Sequence, residues 1–242
     1  MSTEPDPPRR AAEAALERRL VTVQAASGAT FAIFLVAHLI NQMIALAGPV
    51  AYDRTMGALR SVYQATGLEI VLVGAPLLIH VVASVWRIVR RRRSGVRPAA
   101  AIRSRLQRLS GLVLLIFVFG HVFATRGASL LFDVYPDFDA IAFTMVWTPA
   151  YFIPYYSVFA ISGLYHALQG VTLALPRLGL HVGGGGRSRW VVVTTLIGAA
   201  TILLAVARFA GAFDDHRERA LGGAYAQLLE RLGAADLAEL RR

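Results

Sequence analysis

Apolar residues come in five blocks along this chain of 242 residues, at about 21–47, 67–89, 107–125, 146–174 and 190–211. Each block is close to or longer than the roughly 20 residues that an α-helix needs to cross a bilayer. Polar residues gather between the blocks and at the two ends. The pattern predicts an all-α integral membrane bundle of five transmembrane helices over 21–211. The segment 1–20 lacks the apolar stretch of a secretory signal and is expected to stay cytoplasmic, ending in a short amphipathic helix. The tail, 212–242, carries Leu221, Tyr225, Leu228, Leu229 and Leu232 at helical spacing, interrupted by Gly222 and Gly223. It is expected as an amphipathic helix on the outer membrane surface.

Charge orients the blocks. The connection 87–108 holds Arg87, Arg90, Arg91, Arg92, Arg93, Arg97, Arg103, Arg105 and Arg108 and no acid. The N-terminal flank adds Arg9, Arg10, Arg18 and Arg19, and the fourth connection Arg177, Arg187 and Arg189. The third connection instead carries Asp133, Asp137 and Asp139 against Arg126. The positive-inside rule then places the N-terminus in the cytoplasm and, after five crossings, the C-terminus outside. The basic face has two readings, topology with anionic membrane lipid or docking of a soluble redox subunit. A nucleic-acid partner is not expected, because the arginines flank membrane spans.

Charged residues make up 17% of the chain and hydrophobic ones 56%, too little polar surface for a soluble domain of this size. There is no cysteine, so this chain offers neither disulfides nor thiolate ligands. Gly183 to Gly186 lie between two spans with no strand before them and no lysine after, which excludes a phosphate loop.

Histidine carries the chemistry. Of six, His38, His80, His121 and His166 fall one each in the first four apolar blocks. Each is costly in hydrocarbon unless paired or ligated, so four of them call for a common cause. Helices 1 and 3 enter from the inside, which puts His38 about 22 Å and His121 about 21 Å along them. Helices 2 and 4 enter from the outside, with His80 and His166 about 20–25 Å in. The result is one pair in the outer half and one in the inner half, as two stacked bis-histidine b haems require. Zinc, which favours four ligands in one tetrahedron, suits pairs at two depths less well. A haem-free proton-coupled transporter, using the histidines as a relay, is the alternative from another class.

An internal repeat accompanies the histidines. Gln24, Ser27, Gly28, Ile33, Phe34 and His38 recur at the same spacing as Gln107, Ser110, Gly111, Ile116, Phe117 and His121. Fourteen residues bring a helix back to within about 40° of the same face, about 21 Å along its axis. Each glutamine thus points towards the inner haem, where its amide can bond a propionate and the glycine leaves room for a flat macrocycle. The competing reading is that small residues simply let helices approach.

The stretches LQRLSGLVLLIFVFGHVFATR (106–126), GLEIVLVGAPLLIHV (67–81) and ISGLYHALQG (161–170) resemble the cytochrome b anchors of succinate:menaquinone oxidoreductases and fumarate reductases. The similarity is to the single-chain, five-helix, di-haem type and covers roughly 15–210. It implies that the four histidines ligate two haems b in the crossed pairing and that (mena)quinone reacts near the outer haem. It also implies an FAD flavoprotein and an Fe–S subunit as partners, and a bacterial inner membrane. Ser84 departs from the glycine that relatives often carry, and the tail is longer. The cytochrome b of a hydrogenase or formate dehydrogenase, with ligands on fewer helices, is the alternative within redox chemistry.

Further candidates lie at the helix ends. Glu69 begins helix 2 at the outer side, either as an interfacial carboxylate or as the acid–base group of quinone chemistry. Asn41 and Gln42 are placed to bond a quinone carbonyl. Arg126 either pairs with an outer-haem propionate or snorkels to the interface, and Arg108 has the corresponding inner role. Pro76 frees the carbonyl of Leu72 and is expected to bend helix 2. His181 and His216 are expected to be solvated.

Overall fold

The computed structural model describes residues 7–64, 67–95, 101–180 and 187–242. Arg97, His181 and the glycines at 183–186 lie outside them, as do the first six residues of the N-terminal segment. Among the described residues every regular element is helical. Five helical rods are long and apolar enough to span a membrane: Ala11–Ala47, Glu69–Arg93, Ile102–Phe132, Pro149–Arg177 and Arg189–Phe209. The protein is a multi-pass membrane bundle.

The first rod is helix α1 (Pro7–Ile44), whose 38 residues far exceed a hydrocarbon slab. Its first turns therefore stand in water as a continuation of the first span. Gly48, with φ of 101°, ends this rod, and Pro49 opens α2 (Pro49–Tyr63). Helix α3 (Ala75–Arg93) is preceded by a π-helical segment, Glu69–Gly74. The disturbance expected from Pro76 thus takes the form of a widened turn, a common way for a helix to absorb a lost hydrogen bond. Helix α4 (Ile102–Val122) runs through a second π-helical segment, Phe123–Gly127, into α5 (Ala128–Phe132). The rod stops at Asp133, held in the left-handed region at φ 56°.

Helix α6 (Phe138–Trp147) is capped by Asp137, whose Oδ1 accepts the Ala140 N–H at 2.9 Å. Helices α7 (Pro149–Arg177) and α8 (Arg187–Phe209) complete the bundle, and α9 (Arg217–Gly222), α10 (Ala224–Arg231) and α11 (Leu237–Leu240) follow. Helix α1 packs along α3 and α7, while α7 also carries α4 and α8. Large apolar side chains such as Ile33, Ile70, Leu112 and Leu196 point outward, as lipid contact requires.

The largest fully buried apolar side chains, Val191 excepted, lie at one end of the bundle, not in its middle. Tyr52 on α2, Phe138 and Phe143 on α6, Phe209 on α8 and Leu221 on α9 form one apolar cluster. The tail is thus three short helices, α9 and α10 folded against α6 and α11 packed on α10, with Leu221, Leu228 and Leu237 covered by protein. Ion pairs fasten this cap: Arg219 to Asp139 at 2.6 Å and Arg208 to Asp214 at 2.5 Å. The phenol of Tyr225 donates to the Ala124 carbonyl inside the π-helical turn, at 3.3 Å.

Candidate functional site

The structure brings the four intramembrane histidines together in twos. His38 on α1 meets His121 on α4 with ring centroids 6.0 Å apart, and His80 on α3 meets His166 on α7 at 6.2 Å. The first pair lies towards the cap, the second towards the arginine-rich end. Among the described residues, neither α1 with α4 nor α3 with α7 packs backbone to backbone along its length, so each pair meets across the bundle. No group of three or more His, Asp or Glu side chains is placed to hold a metal ion among the described residues. Donor sets therefore come in pairs.

These separations test whether a single iron fits between the rings. Two imidazole nitrogens, each about 2.0–2.1 Å from a metal, place the ring centres roughly 6.3 Å apart. Both separations are close to that value. All four rings are half-buried.

The repeated motif holds the arginine-end pair. His80 Nδ1 lies 3.0 Å from the carbonyl oxygen of Gln24. A carbonyl only accepts, so Nδ1 carries the proton and Nε2 keeps its lone pair for a metal. On the opposite helix Ser110 Oγ donates to the Gln107 carbonyl at 3.1 Å and lies 3.2 Å from His166 Nδ1. The side-chain amide Nε2 of Gln107 lies 3.3 Å from the same ring nitrogen, so His166 Nδ1 is held between a hydroxyl and an amide N–H donor. Ser27 repeats the first contact, donating to the carbonyls of Val23 at 2.7 Å and Gln24 at 3.3 Å.

The glycines make room for the imidazoles themselves. A Cβ on Gly28 would stand 2.7 Å from His80 Nδ1, and one on Gly111 would stand 2.9 Å from His166 Cε1. The side-chain amide of Gln24 donates to Ser84 Oγ at 2.7 Å and accepts from Arg87, while Gln107 donates to the His166 carbonyl at 3.2 Å. Both glutamines are thus engaged by protein groups around the histidines.

The cap-end pair sits among aromatic rings. Phe34 stacks on His38 at 5.6 Å, and Phe159 lies 5.2 Å from His121. Its polar contact is long: Tyr155 Oη is 3.4 Å from His121 Nδ1. Nearby, Arg126 donates to Glu69 Oε1 at 2.6 Å and to Ser129 Oγ at 2.8 Å. Glu69 and Arg126 therefore join the two π-helical segments. Asn41 is fully buried with both amide atoms unpartnered, and Gln42 donates to the Tyr52 phenol at 3.2 Å. Arg108 lies on the exposed side of α4.

Glu17 and Tyr155 were not singled out by sequence, Ser84 stood out only as a departure from the family pattern, and Arg87 only as one of the connection's arginines. Arg87 falls seven residues after His80, two turns along the same face, which is the signal that locates it. An open pocket of about 310 Å³ lies at the cap, bounded by Met145, Pro149, Phe209 and His216, and none of the paired histidines lines it.

The succinate dehydrogenase cytochrome b558 subunit of Bacillus subtilis (strain 168) is 30% identical over 142 residues, covering 57% of this chain and 68% of that protein. This chain belongs to the succinate dehydrogenase cytochrome b subunit family. No family model matches it, and no solved structure does.

Proposed function

We propose that this chain is a di-haem, quinone-reactive cytochrome b that anchors a succinate dehydrogenase or fumarate reductase. The observation that carries the reading is the two imidazole pairs, at two levels, each spaced for one iron. Two b haems bound there supply a one-electron relay between the membrane faces. The chain's own contribution is to hold the rings: the Gln24 carbonyl fixes the His80 Nδ1 proton, Ser110 and Gln107 hold His166 Nδ1, and Gly28 and Gly111 admit the imidazoles. The relative's name supports an assembly with the catalytic subunits of succinate dehydrogenase. A flavoprotein and an Fe–S subunit docked on the arginine-rich face, in a bacterial inner membrane with that face cytoplasmic, complete the arrangement.

Quinone, with menaquinone as the proposed species, reacts at the cap end. Glu69 exchanges the protons there, and Arg126 orients its carboxylate through the 2.6 Å pair. Both side chains are about a quarter exposed, within reach of a substrate arriving from lipid.

A reduced-minus-oxidised spectrum with a haem assay tests the reading. Two low-spin haems per chain are expected, with His38→Ala and His121→Ala removing one species and His80→Ala and His166→Ala the other. One haem per chain, or none, overturns it, and none with retained proton-coupled flux would favour a histidine relay.

A further inference from the structure

Arg87 is a charged residue inside a membrane helix, its side chain only 10% exposed. A guanidinium so placed demands partners. Its Nε and Nη2 donate to Glu17 Oε1 at 3.1 and 3.0 Å, and Nη1 donates to Gln24 Oε1. The same Glu17 oxygen also takes Arg91 at 3.1 Å. From Gln24 the chain of contacts runs on to the ligand helix. Gln24 Nε2 reaches Ser84 Oγ at 2.7 Å, and Ser84 donates to the His80 carbonyl at 2.6 Å. The Gln24 carbonyl takes His80 Nδ1. One hydrogen-bonded network thus joins a carboxylate at the water-facing end of α1 to an imidazole inside the bundle.

We propose that Glu17 and Arg87, linked through Gln24, are positioning residues that set the reduction potential of the His80–His166 site. The inference rests on haem occupancy of that pair. Arg87 lies about 10.5 Å beyond His80 along the same helix face. At that range and an effective dielectric of about 20, one unit charge shifts a one-electron equilibrium roughly tenfold. The guanidinium favours the reduced, more negative state, and the Glu17 carboxylate opposes it while neutralising part of the Arg87 and Arg91 charge. Ser84 belongs to the same device, because its hydroxyl holds the Gln24 amide so that the amide oxygen faces Arg87.

Redox titration of the full-length chain, followed by optical spectroscopy, tests this. Glu17→Gln should raise the reduction constant of the His80–His166 haem about tenfold, or ~59 mV for one electron. Arg87→Gln should lower it by a similar factor, and the double variant should return close to the parent. The His38–His121 haem should hold its potential in all three. Shifts of one sign in both single variants, equal shifts at both haems, or no shift would overturn the proposal. Should Arg87→Gln lose the haem, Glu17→Gln decides alone: a rise supports the proposal, and an unchanged or lower value overturns it. A parent chain with no haem at His80–His166 defeats the proposed function itself, and this inference with it.

Discussion

The two histidine pairs share one ring spacing and live in different surroundings. At the arginine-rich end each ring nitrogen has close polar partners, the Gln24 carbonyl for His80 and the Ser110 hydroxyl with the Gln107 amide for His166. At the cap end, His38 lies against Phe34, and His121 lies against Phe159 with one long contact to Tyr155. The first pair is oriented by directional polar bonds, and the second by shape and apolar packing. The difference grows out of the repeat. Each copy contributes its histidine to the cap-end pair and its Gln-x-x-Ser-Gly segment to the opposite pair, so a single duplicated element builds both environments. Hydrogen bonds define a ring's rotation within narrow limits, whereas aromatic packing tolerates small rotations.

The largest expected effect comes from filling the cradle. Gly28→Ala and Gly111→Ala place a methyl inside the van der Waals radius of His80 and His166. Each should take the haem-to-protein ratio from two to about one, with the His38–His121 spectrum retained. Loss of the cap-end species instead would break the assignment of the repeat to the arginine end.

Next in size is the acid–base group near the cap-end pair. Glu69→Gln should leave both haem spectra and assembly intact and lower quinone-linked turnover by roughly 10²–10⁴. Succinate oxidation with an artificial acceptor should not change. Parental quinone turnover in that variant would reduce Glu69 to an interfacial partner of Arg126.

Two conservative substitutions compare the pairs directly. Ser110→Ala should weaken haem retention at His80–His166 by about 10–100-fold, the range typical of groups that orient a metal-bound histidine. Tyr155→Phe, which removes a contact of 3.4 Å, should weaken the cap-end haem by less than that. Equal losses, measured by haem transfer to apomyoglobin, would mean that the two environments do not differ in kind.

The smallest effect is a pH dependence confined to the cap. Burial, with Arg219 and Arg208 adding to it, holds the His216 imidazolium below its ordinary value of 6.5. The folded cap then binds fewer protons than the open one, so its stability is full above about pH 6.5 and falls as pH drops below it. Hydrogen exchange at α9 and α10 should quicken in that window and stay unchanged in His216→Gln.

Much of this architecture was legible one helix at a time. Hydropathy over about 20 residues located all five spans, because a bilayer imposes that length whatever the neighbours are. Helix direction and a constant rise were enough to pair His38 with His121 and His80 with His166. The helices α2 and α6 escaped notice because each is short and lies between spans, where apolar length carries no signal. The tail leucines were visible, but their partners on α6 were not, so a surface helix was expected where the chain folds into a cap.

Sequence by itself determined the number and place of the apolar spans, and that the histidines divide into two pairs. Those properties follow from local composition and helix geometry. Tertiary structure decided where each polar group spends its hydrogen bonds. Gln24 turns to Ser84 and Arg87, Gln107 to the His166 carbonyl, and Arg126 to Glu69. These partners stand 57 to 63 residues apart along the chain. A side chain in a membrane interior bonds whatever group faces it, because no water competes for it. Which group faces it is set by the rotation of one helix against another, a quantity no single segment contains.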